Sequence, residues 1–291
     1  MRIALVDGYN LVFRAFYAMP ELSRKDGFPT GAIHGWVRSL WWVDDHLEPD
    51  RILVFFDLGG PTRQTTLQAD YKANRAETPE PLLQQIPVIK EWTRAMGYAG
   101  IEKEGVEADD LIAAYAVECA AAGHEVLVVS ADKDLAQLVG PGVTQLLPPP
   151  TANPRLGWRR LDPAAVEAKF GVPPRLIPDY LALIGDTSDN SPGLKGVGPK
   201  TAAKWLQQYG SIEGILAHSG ELTPKRFQGL VHAEQATLRR NLEMTRLDPV
   251  HTTEHIADER APQPAEVYRL LEAMEMPASV KAAKERLGGR E

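Results

Sequence analysis

The sequence predicts an α/β fold, a mostly parallel sheet flanked by helices, followed by a helical domain. Three observations predict it. In the first half, short apolar runs alternate with segments of helical periodicity, the pattern of strands covered on both faces by crossover helices. After residues 148–154 (PPPTANP), apolar positions recur only at helical spacing. The chain has 291 residues, 44% of them apolar, which is enough to bury a real core and too apolar for disorder.

The elements follow in order. Ile3–Val6 is a strand ending at Asp7. Residues 30–47 are helical, with Ile33, Trp36, Val37, Leu40 and Trp41 at helical spacing. Arg51–Phe56 is a buried strand ending at Asp57. Residues 58–79 are polar around a basic YKANR centre, and a loop that long inside a compact domain is functional or disordered. Residues 80–97 are helical after Pro79 and Pro81. Residues 107–122 form a helix closed by Gly123. Glu125–Val129 is a third strand, followed by Asp132 and Asp134, and Val143–Leu147 a fourth. The domain boundary falls near residue 160. Beyond it, helices are expected over 162–170, 174–184, 199–209, 211–218, 224–246 and 264–274.

Composition narrows the class. The single cysteine, Cys119, excludes an intramolecular disulfide and a multi-cysteine zinc site. No apolar run is long enough to span a membrane, and MRIALVDGYN runs straight into a strand with no signal peptide, so a cytoplasmic protein is expected. The net charge of −7 taken alone argues against an anionic partner. Nine carboxylates, however, fall into five short clusters. Setting them aside leaves 30 acids against 32 bases. Bound cations there would remove the negative bias.

Those clusters sit where a site belongs. Ligands of open parallel sheets bind beyond the carboxyl ends of the strands, and three predicted strands lead there into Asp7, Asp57, and Asp132 with Asp134. Each alone reads as a turn or cap residue; the coincidence of three carries weight. Glu107, Asp109 and Asp110 open a helix and would repel one another without cations or bases nearby. Asp186 and Asp189 precede a glycine-rich turn. Oxygen-only ligands favour Mg²⁺ or Mn²⁺, and the seven scattered histidines argue against zinc. Carboxylates around paired hard cations are the pattern of in-line phosphoryl chemistry.

Residues 193–204 (GLKGVGPKTAAK) are neither a Walker loop nor GxGxxG. They read as a hairpin between helices. Gly196 and Gly198 permit positive φ and close backbone approach, and Pro199 opens a helix. Free N–H groups there, with Lys195, Lys200 and Thr201, suit a phosphodiester. In the basic loop, Lys72 and Arg75 share a face on a helical turn and, with Arg63 and Tyr71, could grip a phosphate or stack a base.

Together these motifs resemble the 5′-nuclease family: the 5′→3′ exonuclease domain of bacterial DNA polymerase I, phage 5′-exonucleases and flap endonucleases. The likeness runs from residue 1 to about 250. It rests on VDGYN, VFFD, YKANR, VEADD, SADKDLAQL and GDTSDNSPGLKGVGPKTA. No polymerase follows, which looks like a free-standing member. The resemblance implies a PIN-like nuclease domain over 1–160, with an arch at about 58–80. It implies a helical DNA-binding domain over 161–291, carrying a helix–three-turn–helix hairpin at 186–204. It further implies two divalent metals, the first near Asp7, Asp57, Glu107, Asp109 and Asp110, the second near Asp132, Asp134, Asp186 and Asp189. Lys72 and Arg75 match arch bases that steer the scissile phosphate, beside Asp7 and Asp57 as catalytic residues. The 193–201 turn matches a duplex-binding hairpin whose carbonyls hold K⁺ in some relatives.

The expected activity is a structure-specific 5′ nuclease on flapped, nicked or branched DNA, serving primer removal and repair. It is expected to be monomeric, nucleoid-associated and free of membrane. The alternatives are a non-catalytic DNA-junction-binding module, a PIN-type ribonuclease and an aspartyl-phosphate enzyme. The last would want DxD after the first strand, where this chain has Asp7-Gly8-Tyr9.

Overall fold

The computed structural model describes residues 1–74, 76–187, 189–251, 253 and 260–288. The first half is built on six strands: β1 (Arg2–Asp7), β2 (Arg51–Phe55), β3 (Ala99–Ile101), β4 (Glu125–Val129), β5 (Val143–Leu147) and β6 (Arg159–Leu161). Their order in the sheet is β3-β2-β1-β4-β5-β6. The first five are parallel, and β6 returns antiparallel to β5. The chain moves outward from β1 through β2 to β3 and then crosses to β4 on the other side of β1. That reversal makes a crevice at the carboxyl ends of β1 and β4.

Among the described residues, the helices of the first half are α1 (Gly8–Ala18), α2 (Gly31–Leu47), α3 (Arg63–Leu67), α4 (Glu80–Leu83), α5 (Ile86–Ala95) and α6 (Ala108–Ala121). Ala4 and Val6 of β1 enter the core shared with α1, α2 and α5, while Ile3 and Leu5 enter the core beneath α6. Burial on both faces is why the strands read as unbroken apolar runs. Helix α1 is absent from the sequence expectation. Asp7 is both the last residue of β1 and the N-cap of α1, so no turn signal separates them. Gly8 makes this possible: a Cβ there would stand 2.5 Å from the Phe55 carbonyl oxygen.

The second half contains α7 (Pro163–Phe170), α8 (Ile177–Ile184), a two-residue hairpin β7 (Gly185–Asp186) and β8 (Ser191–Pro192), α9 (Pro199–Tyr209), α10 (Ile212–Ala217), α11 (Gln228–Ala233) and α12 (Gln235–Thr245). The expected helix over 224–246 is broken at Glu234, and residues 80–97 divide into α4 and α5. Trp205, Ile177, Leu181, Ile212 and Leu238 centre a second core. Gly185 sits at φ 76°, and a Cβ there would stand 2.2 Å from the Gly193 nitrogen, so the hairpin closes only around glycine.

The last helices are α13 (Pro264–Ala273) and α14 (Pro277–Leu287). They do not extend the second core. Val267, Leu270, Leu271 and Leu287 are buried in the first core with Trp36, Trp41 and Trp92. Among the described residues, no helix is long and apolar enough to cross a membrane.

Candidate active site

Five separated segments deliver carboxylates to the carboxyl edge of the sheet. Asp7 ends β1, Asp57 lies two residues past β2, Glu107 caps α6, and Asp132 and Asp134 follow β4. Asp186 and Asp189 come from the β7–β8 hairpin of the second half.

Short polar ties set the geometry. Ser130 Oγ donates to Asp7 Oδ2 at 2.7 Å and accepts from the Asp132 N–H at 3.0 Å. Asn10 Oδ1 accepts from the Ala131 N–H at 3.0 Å, fastening the start of α1 to the same loop. The Asp134 N–H donates to Asp132 Oδ1 at 2.9 Å. Asp57 Oδ1 accepts from the Ala108 N–H at 2.6 Å, joining β2 to the first turn of α6. Ser130 and Asn10 lie inside SADKDLAQL and VDGYN, but neither is a carboxylate, and their positioning role shows only in these hydrogen bonds.

The acids form two groups that share a member. Burial pushes the Asp7 carboxyl up to about 7, against the Ser130 hydrogen bond, and the charges of Asp132 and Asp57 add to the rise. Burial, then the charges of Asp132 and Asp7, hold Asp109 well above the carboxylate range. Burial, then Asp132 and Asp189, do the same to Asp134, with Asp186 contributing. The Asp132 charge therefore acts on Asp7 and Asp109 as well as on Asp134. Crowded, buried carboxylates of this kind require positive charge if they are to ionise together.

Two lysines supply part of it. Lys72 Nζ lies 2.8 Å from Glu107 Oε2, and Lys133 Nζ 3.0 Å from Asp186 Oδ2. Lys133 was not singled out in the sequence, hidden between two aspartates. Among the described residues, no three acidic, histidine or cysteine side chains are drawn up around a single point. The acids thus form a neighbourhood with two lysines paired at its margins, not a closed cage. Their chemistry fits hard cations: all donors are carboxylate oxygens, and burial has left them short of counter-charge.

Asp110 is placed apart from these groups. Its Oδ1 accepts from the Asp248 N–H at 2.7 Å and its Oδ2 from Gln64 Nε2 at 3.3 Å, bridging α6, α3 and the end of α12.

The basic loop contains α3 and then turns. Arg63 donates to the Glu243 carbonyl at 2.9 Å and the Arg246 carbonyl at 2.6 Å, at the C-terminal end of α12. Its guanidinium is thereby committed to the protein. Tyr71 donates to Glu107 at 3.3 Å; burial, then the Glu107 charge, push its phenol well above its ordinary range. The Lys72 ammonium also stands 4.7 Å from the Tyr71 ring centre. Arg75 lies outside the described residues.

In the glycine turn, Leu194 and Val197 are buried anchors, while Lys195, Gly196 and Lys200 are exposed. Gly196 adopts φ 80°. Gly198 does not take the expected left-handed conformation: at φ −104° it is the N-cap of α9, with no atom within 4 Å of where a Cβ would stand. Thr201 lies in the first turn of α9, and Lys204, one turn on, joins Lys200 in lining a cavity of about 330 Å³. The spacing Lys200–Lys204 was there to be read. A cavity of about 680 Å³ lies at the opposite, amino edge of the sheet, lined by Asp50, Ile52, Tyr98, Ala99 and Pro262, remote from the strand ends that carry the acids.

Comparison with known proteins agrees with both halves. Residues 2–171 match the 5′-3′ exonuclease N-terminal resolvase-like domain, and residues 172–266 the 5′-3′ exonuclease C-terminal SAM fold. The chain is 44% identical over 212 residues to a 5′-3′ exonuclease of Aquifex aeolicus, covering 73% of this chain and 71% of that protein. It is 41% identical over 254 residues to DNA polymerase I of Rhizobium leguminosarum, covering 84% of this chain and 24% of the polymerase. In fold it is similar to the zinc-bound T5 5′-exonuclease, with TM-score 0.69, 20% identity, and coverage of 98% and 99% of the two chains. It is also similar to the catalytic core of Rad2 in complex with DNA substrate, with TM-score 0.63, 13% identity, and coverage of 98% and 90%.

Proposed function

The chain belongs to the 5′-3′ exonuclease family, and on that premise we propose that it hydrolyses DNA phosphodiesters at 5′ flaps, nicks and branches, leaving 5′-phosphate and 3′-hydroxyl ends. The observation that carries this reading is the gathering of buried and half-buried acids from five segments at one sheet edge, with the Asp132 charge acting on Asp7, Asp109 and Asp134 alike. Two hard dications, Mg²⁺ or Mn²⁺, would supply a hydroxide nucleophile at neutral pH and stabilise the leaving oxygen. Asp7, Asp57, Asp109 and Asp132 would hold one, and Asp132, Asp134, Asp186 and Asp189 the other. Glu107 would act through Lys72, whose ammonium it orients beside the acids. With Arg75, Lys72 would meet the scissile phosphate; Tyr71, kept protonated by burial, donates to Glu107 and shields the pair.

The exposed Lys195, Gly196 and Lys200, with the half-buried Gly198 and Thr201, would seat the duplex through phosphate contacts, with K⁺ able to bind the carbonyls of this turn. We take the protein as a monomer that works in the cytoplasm on the nucleoid, in primer removal and repair. An end-labelled 5′-flap incubated with and without Mg²⁺ tests the reading, because product length locates the cut. Wild type is expected to cut only with metal. D132A and D186A should lose at least about 100-fold in rate while still binding the flap. Near-wild-type turnover in either variant would refute the site. Binding without any cut would favour a junction-binding module, and preference for an RNA flap would favour a ribonuclease.

A further inference from the structure

The basic loop is fastened to the hairpin that carries Asp186 and Asp189. Lys72 donates its backbone N–H to the Asp189 carbonyl at 3.1 Å. Asn74 Nδ2 donates to the Thr187 carbonyl at 2.7 Å. Asn190 adds further links. Its Nδ2 donates to both the carbonyl and Oδ2 of Asp70, each at 3.0 Å, and its own carbonyl accepts from the buried Gln68 Nε2 at 2.7 Å. Lys72 and Asn190 are both left-handed, at φ 57° and 56°. The residue whose ammonium reaches Glu107 is therefore pinned, through its main chain, to the turn that bears the second group of acids.

We propose that Asn190 is a positioning residue that latches residues 68–74 onto the acid-bearing hairpin and so sets where the Lys72 ammonium stands. The inference deepens the nuclease reading and rests on it only where Lys72 is said to meet the phosphate. Without the latch, the loop loses its side-chain clamp on Asp70, and Lys72 no longer has one preferred place over Glu107. The exposed lysines of the glycine turn are untouched, so duplex binding is not expected to change.

The test uses N190D, which keeps side-chain size and tolerance of the left-handed backbone but sets a carboxylate against Asp70. D70N/N190D restores the side-chain donor–acceptor pair with its polarity reversed, though not the bond to the residue-70 carbonyl. N190G removes the amide without straining the backbone and serves if N190D does not fold. Two readouts are taken on the full chain: the rate of tryptic cleavage after Lys72 in metal-free protein, and kcat and KM on the 5′-flap. N190D is expected to be cut after Lys72 about tenfold faster and to lose about tenfold in kcat, with KM within about twofold. D70N/N190D should recover part of both. Unchanged tryptic rates in N190D and N190G would overturn the latch, as would a D70N/N190D protein no better than N190D. If wild type cuts no flap, the nuclease reading fails, and the tryptic rates still decide the latch.

Discussion

At the scale of single residues, neighbours in sequence do different work because a helix turns about 100° per residue. Asp109 feels Asp132 and Asp7, whereas Asp110 is held by the Asp248 N–H and Gln64. The resemblance implies both at one metal, since residue type does not disclose which way a side chain points. Asp7, Asp57, Asp132, Asp134, Asp186 and Asp189 are legible from strand ends and motifs. That the Asp132 charge acts on Asp7, Asp109 and Asp134 alike is not. Lys72 illustrates the reverse case: its charge and place in the loop were readable, its contact with Glu107 was not. K72A is expected to lower kcat on a flap by at least about tenfold while changing the dissociation constant for DNA by less than about twofold. Single-turnover rates and anisotropy titrations check this, and an unchanged rate would return Lys72 to an ordinary surface lysine.

At the scale of elements, legibility followed burial and length. Strands β1, β2, β4 and β5 were readable because each is four or more residues buried between two layers. Strands β3 (AGI) and β6 (RRL) are three residues each, too short for any periodicity. The β7–β8 hairpin has two residues per strand and depends on close packing of Gly185 against Gly193, which no local pattern announces. The basic loop was expected to face DNA, yet its first base, Arg63, caps α12. R63A is therefore expected to destabilise the fold by about 2 kcal/mol, the worth of hydrogen bonds from a charged donor, while DNA affinity falls less than in K200A. Denaturant unfolding and flap titration measure the two effects; an unchanged unfolding midpoint would contradict the capping role.

At the scale of the molecule, the joints between the two halves include the bridge from Asp110 to Asp248, the Arg63 contacts with the end of α12, the ties of residues 68–74 to the β7–β8 hairpin, and the return of α13 and α14 to the first core. The acid edge opposes stability. In metal-free protein, Asp7 titrates near 7, and Asp109 and Asp134 well above the usual range, whereas in the unfolded chain aspartate titrates near about 4. The folded state thus holds protons that the unfolded state has released. Below about pH 4 both states are protonated and the shift has no effect; from there upward through 7, stability falls. Dications replace the missing protons, so Mn²⁺ should raise the thermal midpoint more at pH 8 than at pH 5. Equal shifts at both values would contradict that linkage. The most direct measurement is an anomalous difference map from crystals soaked in Mn²⁺ near pH 8. Two peaks about 4 Å apart are expected, one among Asp7, Asp57 and Asp109, the other among Asp134, Asp186 and Asp189, with Asp132 between them. A map with manganese only at scattered surface carboxylates, and none at this edge, would contradict the proposed metal centre.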